Sequence, residues 1–234
     1  KYPVRPDVEE KKFRASIRAS IGMERQGAAH GAELLVLNDV DKILFEKVGL
    51  RPGFYPTDES VRTVIVPEGD VGAGLASYML RLLTGGHIHF IEPFHVDLPS
   101  DTFEGGHAGP NDYTAPGGRT QIARDVRFAK TGYRYAGAPF AWHVFPEGLH
   151  TMVHLSQHNG KFVMAVTLVE SLPEEAHLAT YSHGRFRPVG QSCKSLFDKL
   201  LAIGVTQHYA LVAGDVTQEV LDLGFLLGFE CHQV

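Results

Sequence analysis

The sequence predicts an α/β protein: a partial Rossmann-like α/β unit over residues 1–96, then an antiparallel β-barrel-like domain with late helices over 97–234. Three observations predict it. Helical and strand-like patterns alternate up to residue 92. A stretch rich in Gly, Pro, Asp and Thr then runs from 97 to 120. Beyond it, strand-like stretches succeed one another without long helices between them. The length of 234 residues agrees, since it exceeds one domain of about 150 residues and falls short of two.

The elements follow in order. Residues 7–27 read as a helix, with Asp7 as cap, Glu9 and Glu10 in the first turn, and Gly27 at the end. Phe13, Ile17 and Ile21 recur every four residues and predict its apolar face. Residues 34–38 suit a buried strand, and a short helix follows over 40–48. Residues 61–67 are β-branched and stop at Pro67, as a strand end does. Asp70 can cap a helix that closes at Gly85–Gly86, and 87–92 reads as a strand, so 61–92 forms a strand–helix–strand crossover. The later strands are placed at 124–130, 140–146, 151–157 and 161–169, with Asn159-Gly160 turning a hairpin between the last two. A helix at 192–203, a strand near 208–213 and a helix at 216–227 complete the chain.

Composition narrows the function. Twenty-two basic residues against 27 acidic ones give a net charge of −5, which argues against a nucleic-acid partner. No apolar run reaches about 18 residues, so no membrane partner is expected. Two cysteines, Cys193 and Cys231, are too few for a disulfide framework, and a cytoplasmic location is expected. The first residue is Lys1 and not Met, which suggests processing or a piece of something longer.

The strongest candidate site starts at Glu68, between a strand and a helix, where open α/β sheets bind ligands. The helix over 71–84 rises about 21 Å, and a strand over 86–92 runs back about 23 Å, so Glu92 can return to the edge that holds Glu68. Two facing carboxylates make a divalent-cation site or an acid/base pair. The competing reading has Glu68 capping the helix and Glu92 in a solvated turn. His107, flanked by Gly106 and Ala108-Gly109, is a candidate ligand or a loop histidine without one. His208, between a helix and a strand, reads alone as a structural histidine.

Other patterns fall away. His87, His89 and Glu92 have the spacing of a cupin metal site, but alternation along a strand splits them between two faces. His150 and His154 lie four apart on a stretch that reads as strand, so they are core or surface histidines. Gly69, Gly72 and Gly74 match no phosphate-binding pattern. No nucleophile-elbow motif is present.

Glu68-Gly69-Asp70, Leu82-Leu83-Thr84-Gly85, Phe90-Ile91-Glu92 and Gly106-His107 occur in an order that resembles the metal-dependent aldose–ketose isomerases of the L-arabinose and L-fucose isomerase superfamily. Ala15 to Gly22 and Thr206-Gln207-His208-Tyr209 extend the resemblance along the chain, which corresponds to the carboxy-terminal half of a typical member. The resemblance implies that Glu68, Glu92, His107 and His208 ligate Mn²⁺, or another divalent ion such as Co²⁺ or Mg²⁺. It also implies that Glu68 and Glu92 form the acid/base pair interconverting an aldose and a ketose through a metal-bound enediol. A pentose or hexose substrate and a homo-oligomer, trimer or hexamer, follow from the same likeness. Glu at position 92 resembles the arabinose enzymes, whereas Pro93-Phe94-His95-Val96-Asp97 and the flanks of His107 depart from them and leave the sugar open. The alternative is a non-catalytic sugar- or metal-binding module, or a fragment that needs a missing amino-terminal domain to turn over.

Overall fold

The computed structural model describes residues 2–58, 60–109, 111–178 and 181–234. Along the chain it forms α1 (Glu10–Ala29), β1 (Leu34–Val36), α2 (Lys42–Lys47), β2 (Val64–Val66), α3 (Val71–Thr84), β3 (Ile88–Asp97), β4 (Thr102–His107), β5 (Arg119–Arg124), β6 (Pro139–Val144), β7 (Gly148–His158) and β8 (Lys161–Leu172). Then come β9 (Ser182–Pro188), α4 (Cys193–Ile203), β10 (Tyr209–Ala213), α5 (Thr217–Leu226) and β11 (Glu230–Gln233). The fold class is the mixed α/β one that the patterns predict, with a small parallel sheet and a closed antiparallel barrel. No helix among the described residues is long and apolar enough to cross a membrane.

The elements make two compact units that interleave along the chain: residues 1–70, 107–145 and 175–182, and residues 71–106, 146–174 and 183–234.

The second unit holds the barrel, which runs β7–β10–β3–β4–β9–β8 and closes because β8 pairs with both β7 and β9. The β7–β8 hairpin turns at Asn159 (φ 51°) and Gly160 (φ 78°), the paired left-handed residues of a type I′ turn. Alternation sorts the strand residues into two sets. Val153, Leu155, Met164, Val166, Ala210 and Val212 pack outward beneath Ala76 and Leu80 of α3 and Val220 of α5. Their neighbours His89, Ile91, Met152, His154, Thr167, Tyr209 and Leu211 face the lumen and are buried as well.

The first unit holds β1 and β2, paired in parallel from Leu34↔Val64 to Val36↔Val66 and joined through α2. Asp41 caps α2 by accepting the Ile43 N–H at 2.7 Å. The β5–β6 hairpin supplies Ile122 and Ala141 to a core with Phe54, and stacks Phe140 on Trp142 at 4.8 Å. Helix α1 buries a narrow stripe of Ser16, Ser20, Glu24 and Gly27 and meets β6 at Ser16.

Several expectations need correction. Helix α1 begins at Glu10, because Asp7 turns to Arg5 (3.5 Å) and caps nothing. Its most buried positions are Ser16 and Ser20, while Phe13 and Ile17 are only partly buried. Hydroxyls win there because they satisfy backbone groups at close range: Ser16 Oγ donates to the Pro139 carbonyl at 2.9 Å, and Ser20 Oγ accepts the Phe54 N–H at 3.1 Å. The expected strand–helix–strand run over 61–92 forms as β2, α3 and β3, but its two strands belong to different sheets. Strand β3 pairs antiparallel with β10 and β4 inside the barrel. The glycine-rich stretch read as loop contains β4, where a Cβ on Gly105 would touch Ile91, the Glu92 carbonyl and Phe186 at 3.4–3.5 Å. Those are ordinary contact distances, so the glycine is not demanded there by packing. Strands β9 and β11 fall where no strand was expected.

Candidate metal centre

The site in the α/β unit grows from the carboxyl ends of its two parallel strands. The pairing extends one step beyond the strands, with the Leu37 N–H donating to the Val66 carbonyl at 2.8 Å. Asp39 then leaves β1, and Glu68 leaves β2, at the edge where parallel sheets bind ligands. Glu68 takes a left-handed backbone (φ 61°), as does Gly69 (φ 71°). For a residue with a Cβ this conformation costs on the order of 1 kcal/mol. Two hydrogen bonds hold it: the Glu68 N–H donates to Asp39 Oδ1 at 2.7 Å, and the Gly69 N–H donates to the Leu37 carbonyl at 3.1 Å.

That turn brings the Glu68 carboxylate to His107, with Oε1 3.5 Å from Nε2. The imidazole is wholly buried, and the glutamate side chain is 20% exposed. Two ligand atoms each about 2.1 Å from one ion, at roughly tetrahedral or octahedral angles, stand about 3–3.5 Å apart. The pair therefore has the separation of two ligands on one cation. Behind it lies Arg51, fully buried with Asp39. Its Nε and Nη2 donate to Asp39 Oδ2 at 2.7 and 2.5 Å, and its Nη1 donates to the Ala108 carbonyl at 2.9 Å. The guanidinium also lies over the Phe128 and Phe140 rings, at 5.2 and 5.7 Å. Burial raises the pKa of nearby Asp125, and Arg51 pulls in the opposite direction.

In the barrel unit, Glu92 and His208 come together on one face. Tyr209 pairs with Ile91, so antiparallel counting sets His208 opposite Glu92 one step on. The His208 ring rests 4.6 Å from Phe90, which shares a face with Glu92 two residues along β3. Ala210, opposite Phe90, places this face outward, on the side covered by α3. His154 Nδ1 donates to the His208 carbonyl at 2.7 Å and fixes that backbone.

The dismissed patterns form no ligand group of their own among the described residues. His89 faces the lumen, opposite in sense to Glu92, so the cupin-like trio does not converge. His150 and His154 are buried on one face of β7, each with Nδ1 on a backbone carbonyl. Burial, helped by Asp101, pushes the Cys193 thiol up to about 11, and burial raises Cys231 too, so neither supplies a thiolate near neutral pH.

Sequence reasoning missed Asp39 and Arg51. Asp39 had a signal, since it directly follows the apolar run Leu34–Leu37 with Asn38, at the end of a strand in an α/β unit. Arg51 had none, because its partners lie 12 and 57 residues away. Compared with protein-family models and with curated proteins, the chain matches none.

Proposed function

We propose that the chain is the metal-binding portion of a cytoplasmic, homo-oligomeric aldose–ketose isomerase of the L-arabinose and L-fucose isomerase type. Glu68, Glu92, His107 and His208 hold its divalent cation. The observation that carries the reading is the Glu68–His107 pair, a carboxylate 3.5 Å from a fully buried imidazole at the carboxyl edge of a parallel sheet. The pairing of Glu92 with His208 on one face of the barrel supports it.

Two carboxylates and two imidazoles suit Mn²⁺ or a similar ion and leave coordination positions for a ligand. When bound, such a cation polarises a sugar carbonyl and acidifies the neighbouring C–H. One of Glu68 and Glu92 takes the C2 proton and returns it to C1, while the other carries the hydroxyl proton between the two oxygens. His107 and His208 serve as neutral donors. The partly exposed Glu68 carboxylate is reachable by a substrate, and His107 is shielded from solvent.

Melting curves with Mn²⁺ and with EDTA test cation binding first, because an ion held only by the folded chain raises Tm. Anomalous scattering at the manganese edge should then return the four named side chains as ligands. Incubation with L-arabinose and L-fucose should yield ketose, Glu68→Gln should abolish it, and solvent deuterium should appear at C1. An unchanged Tm together with no anomalous peak overturns the reading. Cation and sugar binding without turnover converts it to a binding module that needs a further domain. A product free of solvent deuterium replaces proton transfer with a hydride shift.

A further inference from the structure

We infer that the buried Asp39–Arg51 pair is a positioning device for the Glu68–His107 ligand pair. The inference rests on the metal reading above and adds three residues to it. Asp39 uses its two oxygens for two tasks. Oδ1 accepts the Glu68 N–H at 2.7 Å and pins the left-handed turn that aims the carboxylate, while Oδ2 takes both donors from Arg51. Arg51 in turn has two tasks, for its Nη1 holds the Ala108 carbonyl at 2.9 Å, one residue past His107. One ion pair therefore ties together the backbones that carry both ligands, although they stand 39 residues apart in sequence (68 to 107).

Gly109 completes the device. A Cβ there would lie 2.8 Å from Arg51 Nη2 and 2.9 Å from His107 Nδ1, so the guanidinium and the imidazole approach each other through the space that glycine leaves. Neither neighbour can give way. Arg51 is clamped by Asp39 and Ala108 and covered by two aromatic rings, and His107 is fully buried. The backbone of Gly109 is not left-handed, so an alanine at this position adds crowding without the strain of a positive φ.

A surface pair with this geometry would fix little, because water would compete for every bond. Here both partners are wholly buried, and each charge needs the other. Groups that orient metal ligands from behind commonly alter metal affinity by about 10- to 100-fold when removed.

The test compares the full chain with Asp39→Asn, Gly109→Ala and the α3 core variant Leu80→Ala, each at a temperature where it is folded. Mn²⁺ affinity is measured by calorimetry, and the visible spectrum of bound Co²⁺ reports ligand geometry. Asp39→Asn and Gly109→Ala should weaken Mn²⁺ binding at least about tenfold and shift the Co²⁺ bands. Leu80→Ala, destabilised by a cavity in the apolar core, should match the parent in both. If Asp39→Asn does not fold, Gly109→Ala decides alone, since it leaves the ion pair chemically intact. Parent-like affinity and spectrum in Gly109→Ala, or in both site variants, overturn the positioning role and leave the metal reading standing. A parent chain that takes up neither cation overturns both.

Discussion

The barrel unit and the α/β unit solve the burial of polar groups differently. In the barrel unit, β7 and β8 pair without a break from Gly148↔Ser171 to His158↔Lys161, so the backbone satisfies itself while α3 and α5 cover an apolar face. In the α/β unit, stretches far apart in sequence are stitched by buried side chains: Ser16 to Pro139, Ser20 to Phe54, Glu24 to Thr57, and Asp39 to Arg51. Burial raises the pKa of Glu24 even though Thr57 donates to it. The difference teaches where precision is concentrated. A ladder tolerates the loss of any one contact, whereas a seam of single polar contacts depends on each of them and can fix a ligand pair.

The contrast can be broken most directly at Arg51. Arg51→Met keeps much of the side-chain volume but leaves Asp39 charged, buried and unpaired, and a buried pair broken on one side costs about 3–5 kcal/mol. Urea unfolding should show that loss. A cost below about 1 kcal/mol would mean that water reaches the pair and that the seam is no more demanding than a surface contact. The matching cut in the barrel unit is Leu80→Ala, on α3. Loss of a buried leucine to alanine typically costs about 3 kcal/mol, through lost transfer energy and the cavity left behind. That cost should be purely one of stability, with cation binding untouched. A Leu80→Ala chain that folds yet loses Mn²⁺ affinity would erase the division of labour between the units.

Half of the barrel, β7, β8 and β10, could be read from the residues because the signals there are local. Asn159-Gly160 announces a hairpin, and alternating Val, Leu and Met announces strands on either side of it. Strand β4 escaped because its local composition, Gly105-Gly106 in a stretch of Gly, Pro, Asp and Thr, reads as loop, while its pairing with β3 is long-range. The same limit explains α1, where Phe13, Ile17 and Ile21 mark an apolar face, yet Ser16 and Ser20 go deepest because backbone carbonyl and amide groups of Pro139 and Phe54 wait for them. In the site, Glu68 and His107 could be nominated from their settings and are found together. Asp39 and Arg51 could not be paired in advance, since an acid and a base 12 residues apart across a helix and a turn look like any two surface charges.

The smallest effect concerns His150, on the barrel side of the contrast. Its Nδ1 donates to the Gly148 carbonyl at 2.9 Å, and burial lowers its pKa below the ordinary value of 6.5. The folded chain therefore keeps the ring neutral where the unfolded chain would protonate it. Stability from this residue is complete above about pH 6.5 and falls as the pH drops from there toward the folded-state pKa, below which the loss levels off. The slope from one such group is at most about 1.4 kcal/mol per pH unit. His150→Asn isolates it, because an asparagine amide can occupy the place of Nδ1 and donate to the same carbonyl without titrating. Unfolding free energies measured from pH 7.5 to pH 5 should fall less steeply in His150→Asn than in the parent. Parallel curves would show that the lumen admits the imidazolium, and would make the barrel interior as polar in effect as the seam of the α/β unit.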